Sequence, residues 1–138
     1  MKLRLLALSL LLAAGSADAA TLTVTIDGIR VQEGQLRLAL YDSAAGWNGE
    51  AKPVGGRGGA PDGSNALRFS FEDVAPGRYA VRVMHDENGN GKLDSNLLGI
   101  PKEGYGASNN PKVMRAPRFD ESSFEVGEAD LGIVITLN

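Results

Sequence analysis

Phe71-Glu72-Asp73-Val74-Ala75-Pro76-Gly77-Arg78-Tyr79-Ala80-Val81-Arg82-Val83 is the stretch on which the fold turns. Leu67, Phe69 and Phe71 occupy alternate positions before its centre. Tyr79, Val81 and Val83 do so after it, interleaved with Ala80, Arg82 and Met84. A period of two with one apolar side is that of a half-buried strand. Between the two runs, Asp73 to Gly77 places proline next to glycine, as a tight reversal wants. The sequence therefore predicts a hairpin, in a phrase common among small extracellular β-sandwiches.

The same alternation recurs on both sides. Leu22, Val24 and Ile26 alternate with threonines, and Leu36, Leu38 and Leu40 alternate with Arg37 and Ala39. Phe124 to Val126 and Leu131 to Leu137 supply two more strands, and Lys112 to Arg115 offers a short seventh. No convincing amphipathic helix follows the N-terminal segment. Six clear strands with polar connections argue an all-β fold, a single antiparallel β-sandwich of immunoglobulin-like or transthyretin-like character. A small barrel has the same periodicity. Ser43 to Asn65 breaks the pattern, and Gly55-Gly56-Arg57-Gly58-Gly59 within it reads as a mobile surface loop. Trp47, the lone tryptophan, is expected at the rim of the core, with a sugar-stacking platform as the alternative.

The chain has 138 residues and no cysteine. Lys2 and Arg4, the apolar run Leu5 to Ala14 and the small-x-small Ala17-Asp18-Ala19 form the pattern of a secretory signal peptide over residues 1–19. The run is short for a bilayer span, so an anchor helix is the weaker reading. Residues 20–138 then form the folded domain. The 14 basic and 17 acidic residues lose Lys2, Arg4 and Asp18 with the leader, leaving a net charge of about −4. That balance carries no electrostatic footprint for nucleic acid or anionic lipid, and the mature chain has no membrane span. Lack of cysteine excludes disulfides, thiolate metal sites and thiol chemistry. A periplasmic or secreted bacterial protein fits these features.

Between Met84 and Ser122 strand periodicity lapses for nearly forty residues, a length that usually signals function or internal structure. Asp86-x-Asn88-x-Asn90-Gly91-x-Leu93-Asp94 follows the first nine positions of an EF-hand-type calcium loop. Oxygen-bearing side chains at alternate positions can face one centre, and glycine permits the sharp turn. The carbonyl of Lys92 then becomes a ligand, Leu93 anchors the loop to the core, and Asp94 binds directly or through water. The candidate metal set is thus Asp86, Asn88, Asn90, Lys92 and Asp94, with Ca2+ preferred for all-oxygen ligation. The twelfth position is Leu97 instead of glutamate, so the site is weak, in the ~10⁻⁴–10⁻³ M class. Glu103, or Asp42 or Asp73 from neighbouring loops, can complete the shell. The competing reading is plain turn chemistry, with the Asx side chains bonding their own backbone. Leu93, Leu97, Leu98, Ile100 and Tyr105 are expected to fold back and pack the excursion as an Ω-like loop.

His85 is the lone histidine. It suits a hydrogen-bonded strand end better than a general base, because no nucleophile motif lies near it. A hydrolase built on His85, Asp86 and Glu103 is the less favoured alternative, and it requires the three to converge in a cleft.

The residues of this loop and its continuation carry a resemblance. His85 to Asp94, Leu98 to Asn110, Pro76-Gly77-Arg78-Tyr79-Ala80-Val81 and Pro117-Arg118-Phe119 together resemble the DUF2141 family of exported bacterial proteins. The likeness covers nearly all of residues 20–138. It departs at Ala107, where many members carry an aromatic residue, which bears on local packing alone. The resemblance implies location and fold but no activity. The expectation is a non-enzymatic module whose calcium-ordered loop meets an envelope protein or glycan. A metal-free interaction module is the alternative.

Overall fold

The computed structural model describes residues 19–138, so the expected leader lies, apart from Ala19, outside the described residues. Along the chain run β1 (Ala20–Asp27), β2 (Gln35–Tyr41), α1 (Ala44–Trp47), β3 (Gly55–Gly59), β4 (Leu67–Val74) and β5 (Gly77–Asp86). β6 (Tyr105–Ala107), α2 (Phe119–Ser122), β7 (Phe124–Val126) and β8 (Leu131–Thr136) follow. One sheet has the order β4-β1-β8. The other has β3-β2-β5-β6, with β7 pairing the start of β5. Leu22, Val24 and Ile26 of β1 meet Leu36, Leu38 and Leu40 of β2, Val81 and Val83 of β5, and Ile135 of β8 in one core. The all-β expectation is borne out. One pair departs from antiparallel: β1 and β8 run parallel, from Leu22 opposite Leu131 to Asp27 opposite Thr136. Alternation fixes which face of a strand is buried but not its direction.

The stretch Phe71 to Val83 corrects the hairpin reading. β4 pairs β1 in the first sheet and β5 pairs β2 in the second, so the turn between them is a corner joining the two sheets. The reversal chemistry was legible, but both strands have alternating faces whichever partner they take. Asp73, at φ 55°, lies at a bulge in β4 after which Val74 still pairs with Ala20, and the Tyr79 hydroxyl donates to the Ala75 carbonyl at 2.7 Å, tying the corner down.

Both seams between the sheets are stitched. At the first, the glycine run is a strand, β3, and not a mobile loop. Gly59 and Gly55 share a face with Leu36 and Leu40. A Cβ on either would stand 3.2–3.3 Å from the Phe71 or Phe69 ring of β4. The glycines therefore let two aromatic rings lie on bare backbone. Arg57 between them donates to the Ser70 carbonyl at 2.8 Å and lies over Phe71. At the other seam Asn110 takes both a donor and an acceptor from β8, through Thr136 N–H and the Val134 carbonyl. Residues 112–115 form no strand; they lead instead to α2.

Trp47 is neither rim nor sugar platform. Its ring is buried on the outer side of the second sheet with Tyr41, Ala80, Ala107 and Phe119. The indole N–H donates to the Pro117 carbonyl at 2.9 Å, and the Arg82 guanidinium covers the ring at 3.9 Å. Ala107, where the resemblance departs, lies in this small second core.

Candidate functional site

The 87–104 excursion starts and ends on adjacent strands. β5 pairs β2 up to Asp86 opposite Gln35, and β6 returns beside β5 with Tyr105 opposite Met84. The amide of His85 donates to the Gly104 carbonyl at 2.8 Å and closes the neck. Gly34, from the β1–β2 connection, lies against that neck. A Cβ there would stand 1.9 Å from the Asp86 carbonyl oxygen, so only glycine fits.

Asp86 is fully buried, and its carboxylate organises the first turn. It accepts from Asn90 N–H at 3.1 Å and from Gly91 N–H at 2.8 Å, while Arg37 of β2 approaches to 3.8 Å. Gly91 takes φ 78°, which a side chain would resist. Asn88 Oδ1 accepts from Asn90 N–H, and Asn90 Oδ1 accepts from Lys92 N–H at 2.9 Å. Both amide nitrogens then converge on Asp94: Asn90 Nδ2 donates to its carboxylate at 2.8 and 2.9 Å, and Asn88 Nδ2 donates to the same group. These hydrogen bonds, from Asn90 first, with Lys102 and Lys92 nearby, hold the Asp94 carboxyl below its ordinary range. Glu103 is buried behind this turn. Its Oε2 accepts from Asp94 N–H at 3.2 Å, and its Oε1 is buried with no hydrogen-bond partner.

The five expected ligand residues thus share one turn, although Lys92 takes part through its N–H, and Asn88 and Asn90 present nitrogen rather than oxygen to Asp94. Glu103 meets the turn through the Asp94 N–H. Asp42 and Asp73 do not. They follow β2 and close β4 at the opposite end of the ten-residue β5 from Asp86. Among the described residues no three of His, Asp and Glu are grouped as a metal centre, so any cation here depends on amide and carbonyl oxygens.

The hydrolase constellation does not assemble. His85 faces inward, paired with Leu36, and its Nε2 lies 2.7 Å from the Glu33 carbonyl. Asp86, one residue on, faces the other side of the sheet, as strand geometry demands. The lone histidine is a buried hydrogen-bonded residue, as its place at a strand end implied.

The apolar side chains of the excursion are placed opposite to expectation. Leu97 is fully exposed, Leu98 83 % and Ile100 56 % exposed, and Leu93 stands at the surface instead of anchoring the loop. A second turn holds them out. Ser95 and Pro101 bridge, Asn96 N–H donates to the Ile100 carbonyl, and Asn96 Oδ1 accepts from both Leu98 and Ile100 N–H. The signal for this turn in the sequence is Asn-x-x-Gly at 96–99. Among the described residues no helix is long and apolar enough to cross a membrane.

Fold and site define an all-β protein of two stitched sheets bearing a polar-centred, apolar-tipped loop at one end. Residues 24–133 match the family described as "Uncharacterized protein conserved in bacteria (DUF2141)", and the chain belongs to that family. No curated protein and no solved structure matches the chain.

Proposed function

We propose that the protein is a non-enzymatic module of the bacterial cell envelope, exported by its leader-like N-terminus. In this reading the 86–104 loop is ordered by calcium and presents a recognition surface. The observation that supports it is that Asp86, Asn88, Asn90 and Asp94 share one hydrogen-bonded turn, with Glu103 on the Asp94 N–H and its other oxygen buried and unpartnered. A buried carboxylate oxygen without a donor is a costly arrangement that a hard cation relieves. Half-turns of the Asn88 and Asn90 amides would bring oxygen to the Asp94 side at the expense of the bonds their Oδ1 atoms accept from Asn90 and Lys92 N–H. The ion would order structure and perform no chemistry.

A second reading has its own support. As they stand, both amides donate to Asp94, so the turn is closed by hydrogen bonds alone and needs no metal. Thermal unfolding in EDTA, calcium and magnesium separates the two. Binding to the folded state alone stabilises by about 1.4 kcal/mol at about ten times Kd, a midpoint rise of roughly 3–5 °C for a domain of this size. A calcium-selective rise that Asp94→Ala abolishes supports the first reading. No rise at millimolar calcium leaves the metal-free module.

A further inference from the structure

We infer that Asn88 is a modification site at which the side-chain amide is lost spontaneously, turning a neutral residue of the loop into a carboxylate. Asparagine followed by glycine is the pairing most open to this chemistry, because no side chain shields the glycine nitrogen that attacks. The chain has three such pairs, Asn48-Gly49, Asn88-Gly89 and Asn90-Gly91. Their asparagines are all exposed. Their glycines are matched as well: φ is 82°, 73° and 78°, and a Cβ on any of them would meet nothing within 4 Å.

The glycine nitrogens are not matched. Gly49 N–H donates to the Gly46 carbonyl at 3.0 Å, and Gly91 N–H donates to the buried Asp86 Oδ2 at 2.8 Å. Among the described residues Gly89 N–H has no hydrogen-bond partner. Attack from Gly49 or Gly91 first breaks a bond, and for Gly91 it strands a buried carboxylate oxygen. Attack from Gly89 breaks none. The group under attack is also prepared. Asn88 Oδ1 accepts from Asn90 N–H at 3.2 Å, which folds the side chain over the 88–89 peptide and sets a donor where negative charge gathers during attack. Asn90 has the same arrangement, its Oδ1 taking Lys92 N–H at 2.9 Å, so the two sites differ at the nucleophile.

In the step itself the Gly89 nitrogen bonds to Asn88 Cγ and the Cγ–Nδ2 bond breaks. Ammonia leaves, its third proton drawn from the Gly89 N–H through solvent. The cyclic imide takes up one water across either of its C–N bonds, giving aspartate or isoaspartate with no oxidant or reductant consumed. Asn88 Nδ2 donates to Asp94, so conversion deletes that bond and sets carboxylate against carboxylate. On the calcium reading of the loop, on which this last consequence alone rests, the new carboxylate raises affinity by adding charge at the third ligand position. The age of the molecule would then set how tightly the loop holds its ion.

The test is incubation of the whole chain at neutral pH, with conversion at each Asn-Gly pair followed by peptide mass spectrometry. Asn88 should convert ahead of Asn48, and about tenfold or more ahead of Asn90, the factor of one charge-assisted hydrogen bond. In urea the three should draw level. Asp86→Ala, which frees the Gly91 nitrogen, should bring Asn90 up to the rate of Asn88 and leave Asn48 as it was. No conversion at Asn88, equal rates in the folded chain, or the same order in urea overturns the proposal. So does an Asn90 that stays slow in the Asp86 variant. Asn88→Asp should show a larger calcium-induced rise in melting than the parent. Selective conversion at Asn88 with no calcium effect on either protein upholds the site and removes the calcium reading. A calcium rise without selective conversion removes the site and leaves the metal loop.

Discussion

The corner between the sheets and the excursion after β5 are built on opposite rules. From Phe71 through Val83 the apolar side chains turn inward, and the polar ones are left to solvent. From Asp86 to Glu103 two carboxylates, Asp86 and Glu103, are the buried side chains, and the leucines and isoleucine turn out. One region is held by burial, the other by a chain of Asx-type hydrogen bonds anchored on one buried carboxylate. A loop closed this way frees its apolar residues from packing, leaving them to meet something else.

The contrast can be broken first on the burial side. Leu22→Ala, at a fully buried position of the core between the sheets, should cost about 3 kcal/mol. The loss should appear as a lower denaturant midpoint with global loss of amide protection. On the polar side, Asp86→Ala removes the acceptor of two backbone N–H groups. It should cost about 2 kcal/mol, with hydrogen exchange accelerating first between residues 87 and 104. Equal acceleration throughout the strands would mean that the loop is not a separate unit.

Acid sharpens the comparison at smaller amplitude. The folded state holds the Asp94 carboxyl below its ordinary range. Its contribution is therefore complete above that range and fades as pH falls through the lowered value. Asp94→Asn should remove this part of the acid sensitivity of the loop, read by amide exchange of residues 88–94 across an acid titration. The Arg115 guanidinium, paired with Glu121, holds that carboxyl at about 2. That pair is untouched by the substitution, so its own acid release should be the same in parent and variant. Smallest of all, Leu97→Ser should change stability by about 0.5 kcal/mol or less, as for an exposed side chain without partners. A drop of core size in chemical denaturation would show that the tip folds back in solution.

Legibility followed the same divide. Strands with an apolar period were readable because burial writes itself into every second residue, as in Leu22-Val24-Ile26 and Leu36-Leu38-Leu40. Their partners were not. The Pro76-Gly77 reversal looks the same whether the chain pairs with itself or crosses to another sheet, and parallel β1–β8 leaves no mark on either strand. β3 was illegible because its determinant, the space needed by Phe69 and Phe71, sits in another strand. In the loop, the Asp86-x-Asn88-x-Asn90-Gly91 spacing marks residues that the structure places in one hydrogen-bonded turn. The outward tip is not legible from hydrophobicity, which implies burial, because the Asn96 cap that holds the turn out is a single polar residue among leucines.

The parallel pairing of β1 with β8 bears on how the chain reaches this state. Thr21 N–H donates to Asp130 Oδ1 across 109 positions of sequence, so the middle strand of the three-stranded sheet gains its second neighbour only when the last strand exists. Until then β1, whose Leu22, Val24 and Ile26 carry much of the core, keeps one naked hydrogen-bonding edge. Closure at that sequence separation is an intrinsically slow search, and an unfinished edge is what other chains pair with. β8 therefore acts as a time lock on this sheet, which is complete only once residues 131–136 pair with β1.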